Sequence, residues 1–89
     1  MSRIINDPFT ARFPRIDIHG ETTLTCIAVI KSFLKDNIKL KNKNVIIIHG
    51  KGSGALKKAT HEYLKHHKNV SKYYIDGLND GQTIVELEF

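Results

Sequence analysis

The chain has 89 residues, which suffice for one small domain with a two-layer core and exclude separate cofactor and substrate domains. Its 14 Lys and Arg residues outnumber its nine Asp and Glu residues, and the net charge of +5 favours a polyanionic partner such as nucleic acid. The lone cysteine excludes an internal disulfide, and the lack of a signal-peptide pattern or of an apolar run of about 20 residues predicts a cytoplasmic protein with no membrane partner.

The first half of the chain predicts an arm, a strand and a helix. Two prolines interrupt residues 1–14, which we interpret as an extended N-terminal arm whose apolar side chains pack over the core. Residues 15–20 alternate apolar and polar side chains, as a strand with one buried face should. Apolar side chains then recur at helical spacing from Leu24 to Ile38, after threonines that can cap a helix, so an amphipathic helix is predicted over residues 23–38.

The second half predicts a strand, a helix and a hairpin. The β-branched run at residues 45–48 is typical of a central strand covered on both faces. A glycine-rich loop at residues 49–54 leads into a second amphipathic helix, on which His61 is expected to face outward. Residues 71–76 and 83–89 predict two strands joined by a five-residue connection rich in turn formers.

The order of these elements predicts an α/β fold. The order is β-α-β-α-β-β, which corresponds to a two-layer sandwich with a four-stranded mixed sheet and two helices. Parallel pairing is expected across each helical crossover, and an antiparallel hairpin is expected at the end.

Two of the predicted strands end in the dipeptide His-Gly, at His19 and His49. Functional groups of open α/β sheets gather where strands end and helices begin, so both imidazoles are expected on one rim. Asp17 lies two residues before His19 and shares its sheet face, so its carboxylate can orient the ring and tune it for acid or base work near neutral pH. The structural alternative is a pair of solvated polar residues on a half-exposed strand.

The loop after the second strand combines glycines with basic residues. Such a loop permits close backbone approach and aims free N–H groups outward, which suits an oxyanion such as phosphate. Lysines near a helix N-terminus oppose the helix dipole, so their presence hints at ligand use. The structural alternative is a tight turn beside a solvated helix face. The candidate phosphate-binding residues are Gly50, Lys51, Gly52, Ser53, Gly54, Lys57 and Lys58.

Two other motifs are weaker. Residues 50–55 fit the loose dinucleotide pattern G-x-G-x-x-A, and Asp76 follows at a distance typical of a ribose-binding acid. The chain is too short for the second half of a dinucleotide fold, so this remains a distant alternative. His61 and His66 are five residues apart and therefore do not share a helix face as the ligands of a zinc-protease helix do, so no metal site is predicted there.

The two His-Gly motifs, taken in order, resemble the Smr (small MutS-related) domain family. Residues 16–20 match an apolar-Asp-apolar-His-Gly strand end, and residues 49–52 match a second motif of Thr or His, Gly, a basic residue and Gly. Residues 81–87 match a weaker block of Gly-x-Thr followed by an alternating strand. The resemblance divides the chain into the arm, residues 1–14, and an Smr-like domain, residues 15–89.

The resemblance implies the two-layer sandwich, nucleic-acid binding and, in many members, endonuclease activity on DNA or RNA, in some cases at translating or stalled ribosomes. By motif match, Asp17 and His19 would be the cleavage pair. We expect Lys51 and the loop amides to hold the scissile phosphate, His19 to act as base and His49 to protonate the leaving oxygen.

Several alternatives stay open at this point. A non-catalytic nucleic-acid- or ribosome-binding module explains the same charge and loop. The choice between DNA and RNA is also open, because nothing in the motifs separates them. One carboxylate and two histidines can hold a weak Mg²⁺ or Mn²⁺ ion or can work without one, so a divalent cofactor is neither required nor excluded.

Overall fold

The computed structural model describes residues 10–89, so most of the predicted arm lies outside the described residues. The secondary structure follows the expected order β-α-β-α-β-β, and the prediction of an α/β fold with two helices and a four-stranded mixed sheet is confirmed. The elements are β1 (Arg15–Asp17), α1 (Thr25–Lys39), β2 (Asn44–Ile48), α2 (Ala55–Lys65), β3 (Val70–Asp76) and β4 (Asn79–Leu87). No helix in this part of the chain is long and apolar enough to cross a membrane.

The sheet has the strand order β1-β2-β4-β3. The first crossover places β1 and β2 side by side and parallel, as predicted, with Ile16 opposite Ile47. The second prediction of parallel pairing is wrong, because β4 lies between β2 and β3 and is antiparallel to both. Residues 81–85 of β4 are all buried, whereas β3 exposes Ser71 and Lys72, in agreement with a central position for β4 and an edge position for β3.

The main hydrophobic core lies between the sheet and the two helices. Alternation along β2 turns Val45 and Ile47 toward this core, while Ile46 is buried on the other face opposite Ile84. Leu24, expected on the buried face of α1, is 86% exposed because it precedes the first helical residue. The core cluster comprises Ile18, Cys26, Ile30, Leu34, Val45, Ile47, Leu64, Val85 and Leu87.

The start of α1 lies two residues later than predicted and is held by a pair of threonines. Thr22 Oγ1 accepts the Thr25 N–H and Thr25 Oγ1 accepts the Thr22 N–H, each at 3.0 Å. This reciprocal arrangement satisfies a helix N–H that would otherwise lack a partner. It also fixes the chain between β1 and α1, which forms one wall of the site described below.

The hairpin connection is shorter than predicted, because β4 begins at Asn79 rather than at residue 83. The Asp76 carboxylate accepts the Leu78 N–H at 2.9 Å, and the Asn79 side chain accepts the Gly81 N–H at 3.0 Å. These turn-forming side chains therefore stabilise the end of the hairpin through local hydrogen bonds. The strand ends at Leu87, and Phe89 beyond it is 58% exposed. The longer β4 brings its first residues beside the loop that follows β2.

Candidate functional site

A pocket of about 530 Å³ lies where β1 and β2 end and the two helices begin. His19 and residues 21–23 line one side, and residues 49–57 line the other. The structure therefore brings the two predicted clusters together across a single cavity. Lys58 is exposed and does not belong to the lining, unlike the other predicted phosphate-binding residues.

Asp17 holds the His19 ring in one orientation. The His19 backbone N–H donates to Asp17 Oδ1 at 3.0 Å, and His19 Nδ1 lies 2.5 Å from the same oxygen. These two bonds, the backbone one first, lower the pKa of the Asp17 carboxyl below its ordinary value of 3.8. Because an ionised carboxylate only accepts, Nδ1 carries the proton and Nε2 is left without a partner among residues 10–89. The His19 side chain is 69% exposed, so Nε2 is accessible from the pocket.

Gly50 allows the glycine loop to approach His19. Its φ of +83° lies in the left-handed region, and a Cβ atom there would be 3.3 Å from the His19 Cβ. Among the described residues, the backbone N–H groups of residues 51–54 donate to no acceptor, while Ser53 Oγ accepts the Ala55 N–H at 3.3 Å. The loop and the first turn of α2 therefore present free donors to the pocket, an arrangement that suits an anion.

The charged groups at the pocket are exposed. Lys51 Nζ lies 3.4 Å from Asp80 Oδ1, with the two side chains 70% and 74% exposed, so this ion pair is weak and Lys51 can exchange its partner for an anionic ligand. Lys57 adds a second positive charge to the wall, and Glu21 adds one carboxylate. The pocket thus combines backbone donors with a small excess of positive charge.

The structure places His49 and His61 differently from the sequence-based expectation. His49 is only 4% exposed, and both ring nitrogens are engaged: Nδ1 lies 3.1 Å from the Gly50 carbonyl oxygen and Nε2 lies 2.8 Å from Thr83 Oγ1. His61 does not face outward, because its Nε2 lies 2.7 Å from the same hydroxyl. His49 therefore has no free ring nitrogen with which to protonate a leaving oxygen.

Sequence reasoning missed several residues at this site. The sequence pattern at Thr22 and Thr23 indicates only helix caps, yet both residues line the pocket. Thr83 carried a signal as the threonine of the third motif, but nothing in the sequence connected it to His49. Asp80, assigned to a turn, instead faces Lys51 because β4 begins early.

The dinucleotide alternative does not agree with the structure. Asp76, its candidate ribose-binding acid, is only 5% exposed. Its carboxylate accepts hydrogen bonds from the Leu78 N–H at 2.9 Å and from Gln82 Nε2 at 2.8 Å. These bonds use the carboxylate to hold the β3–β4 hairpin, so it is not available to a ribose hydroxyl.

Comparisons with known proteins agree with this geometry. The family model described as the Smr domain matches residues 16–88. Relatives include Endonuclease MutS2 of Geobacillus sp. (strain WCH70), 37% identical over 76 residues, and Endonuclease MutS2 of Brevibacillus brevis, 38% identical over 76 residues. Each match covers 82% of this chain and 10% of the relative, so the chain spans about a tenth of the length of these endonucleases.

Solved structures show the same fold. The Smr domain of Thermus thermophilus MutS2 aligns with a TM-score of 0.82 and 26% identity, covering 85% of this chain and 99% of that one. YdaL, a stand-alone small MutS-related protein from Escherichia coli, aligns with a TM-score of 0.81 and 20% identity over 91% of this chain and 71% of that one, which is a likeness of fold alone. The family model, the relatives and the fold agree, and the chain belongs to the Smr domain family.

Proposed function

We propose that this Smr domain binds nucleic acid and cleaves its phosphodiester bonds. The observation that carries the proposal is that one pocket is lined both by His19 and by residues 51–54, and that within residues 10–89 neither His19 Nε2 nor these four backbone amides have a hydrogen-bond partner. A general base opposite an anion cradle is the arrangement that phosphodiester cleavage requires. The net charge of +5 supports a polyanionic substrate, and the relatives described above are named Endonuclease MutS2.

The chemical step divides between the two sides of the pocket. His19 Nε2 takes a proton from water or from a ribose hydroxyl while the oxygen of that group bonds to phosphorus. The bond from phosphorus to the leaving oxygen breaks, and the leaving oxygen takes a proton from solvent, to which the pocket is open. The loop amides and Lys51 stabilise the charge that develops on the phosphoryl oxygens. Asp17 keeps the proton of His19 on Nδ1 and stabilises the imidazolium that forms.

A cleavage assay with the purified domain tests this function. Labelled single- and double-stranded DNA and RNA are incubated with the domain in Mg²⁺, Mn²⁺ or EDTA, beside the variant His19→Ala. We expect strand breaks with the wild type and a loss of about 10²- to 10⁴-fold in His19→Ala, with binding nearly unchanged. Equal cleavage by the two proteins contradicts the proposal. The arms of the assay also identify the nucleic acid and show whether a divalent ion takes part.

A non-catalytic binding module is the second candidate, favoured by the observation that the loop amides and Lys51 can hold a phosphate without help from His19. Steep salt dependence of binding is expected for both candidates, because any neutralised phosphate releases counterions. Tight, salt-sensitive binding with no cleavage of any of the four substrates would establish this second function. The RNA that this module binds can be supplied by a ribosome, and co-sedimentation of the domain with ribosomes tests this form of the proposal.

A further inference from the structure

A buried series of hydrogen bonds runs behind the pocket from α2 through β4 to the glycine loop. His61 Nε2 lies 2.7 Å from Thr83 Oγ1, which lies 2.8 Å from His49 Nε2, and His49 Nδ1 lies 3.1 Å from the Gly50 carbonyl oxygen. Thr83 is fully buried and His49 is 4% exposed. The two rings meet edge to face, with centroids 6.1 Å apart. No step of the proposed reaction uses these three side chains.

With both rings neutral, the chemistry of the groups fixes the direction of every bond. The Gly50 carbonyl oxygen only accepts, so His49 must carry a proton on Nδ1. Neutral His49 then has a lone pair on Nε2, which accepts the Thr83 hydroxyl proton. Because that hydroxyl has a single proton, its oxygen accepts from His61, which must carry its proton on Nε2. Burial, and after it the positive charge of Lys57, lowers the pKa of His61 and favours this neutral ring.

The last bond of the series holds the Gly50–Lys51 peptide. This peptide is trans and planar, so the Lys51 N–H points opposite to the Gly50 carbonyl and therefore away from the buried His49 ring. It meets no acceptor in the part of the chain that the structure describes. Glycine at φ +83° can rotate this peptide at little cost, so an external contact is needed to keep the N–H directed at the pocket.

We propose that His49, Thr83 and His61 form a positioning relay that fixes the Gly50–Lys51 peptide with its N–H toward the phosphate pocket. The inference rests on the proposed function for its catalytic consequence, but the geometry of the relay is independent of cleavage. The three side chains touch no substrate and act through the backbone of the loop. Their removal lowers the rate of cleavage by misplacing a donor, not by removing a reacting group.

Nuclear magnetic resonance tests the relay directly. Ring ¹⁵N shifts of the wild type should identify His49 as the Nδ1–H tautomer and His61 as the Nε2–H tautomer at neutral pH. Titration with inorganic phosphate should shift the Lys51 amide resonance. In Thr83→Val, which keeps the shape but removes the hydroxyl, we expect the apparent affinity at Lys51 to weaken about tenfold, whereas Thr83→Ser should retain it within about threefold.

Kinetics supply the second readout. In Thr83→Val the turnover number should fall about 10- to 100-fold, by more than KM rises, because the lost donor holds phosphate in the ground state and acts more strongly on the charge of the transition state. Thr83→Ser should restore the turnover number. A general loss of folded protein in Thr83→Val would instead lower the fraction of active molecules in both assays, and the ring tautomers of the wild type then decide the question.

The outcomes separate the relay from the proposed function. If Thr83→Val cleaves as fast as the wild type, the relay is overturned and the nuclease proposal stands. An Nε2–H tautomer at His49 has the same consequence. No cleavage by the wild type, together with the expected tautomers and a Thr83-dependent phosphate response, overturns the nuclease proposal and supports the relay as part of a binding site. If inorganic phosphate does not shift the Lys51 amide resonance of the wild type, the relay does not position a phosphate donor and the proposal is overturned.

Discussion

Lys51 is an exposed cation of the phosphate pocket, and within residues 10–89 it forms an ion pair with Asp80 alone. Replacing it in Lys51→Ala should weaken nucleic-acid binding and reduce the slope of log affinity against log salt by about 1, since one phosphate contact is lost. Fluorescence anisotropy with a labelled oligonucleotide at several salt concentrations measures both quantities. Lys65→Ala, an exposed lysine in the last turn of α2, is the matched control and should leave the slope unchanged. Equal slopes for the two variants would remove Lys51 from the interface.

The Asp17 and His19 pair shows what local sequence predicts well. β1 ends at Asp17 and His19 lies in the turn just after it, but residues two positions apart stay close whatever the rest of the fold does, so the sequence alone predicts their contact. The direction of the His49 ring, in contrast, cannot be predicted from the local sequence. Its direction depends on Thr83, which lies 34 residues away along the chain, and no periodicity within β2 encodes that contact.

The glycine loop between β2 and α2 is the element whose backbone the site depends on. Gly50→Ala places a Cβ atom 3.3 Å from the His19 Cβ and forces a non-glycine residue to φ +83°, so we expect a loss of about 1–2 kcal/mol in the free energy of unfolding and a fall in cleavage. Gly52→Ala is the control, because its Cβ would meet nothing within 4 Å, and its stability should stay within about 0.5 kcal/mol. Urea unfolding of both variants measures the difference. A Gly50→Ala protein as stable as Gly52→Ala would contradict the strained geometry.

The helices and strands themselves follow from the sequence to within a few residues. The period of 3.6 marks α1 and α2, and the β-branched run marks β2, because each pattern reports which side of its own element is buried. The order of the sheet does not follow in the same way. Either strand of the β3–β4 hairpin can in principle pair with β2. Which strand does so depends on which of the two is better buried at the centre of the sheet, and in this chain that strand is β4.

For the molecule as a whole, stability should depend on pH through two partly buried histidines. Burial lowers the pKa of His61 and of His67 below the ordinary value of 6.5, aided in each case by a neighbouring lysine. Below pH 6.5 the unfolded chain therefore binds more protons than the folded chain. The free energy of unfolding should be steady above that pH and fall as the pH drops through the folded pKa values.

Urea unfolding between pH 8 and pH 5 measures this dependence. His61→Gln keeps a side chain that can donate to Thr83 but removes one titrating ring, so its stability should fall less steeply below pH 6.5 than that of the wild type. His66→Gln is the matched control, since His66 is an exposed histidine at the end of α2. A wild-type stability that rises on acidification would show that these rings are charged in the folded protein.

Sequence patterns alone predict the element order, the α/β class, the proximity of Asp17 and His19, and the glycine loop with its basic residues. These features are local, since each depends on periodicity or on the backbone freedom of residues close together in the chain. The packing of the whole chain, in contrast, places β4 between β2 and β3, and this placement brings Thr83 between His49 and His61. Hydrogen-bonding groups that are distant in sequence come into contact only when the elements pack. The inward direction of both imidazoles therefore cannot be predicted from the sequence.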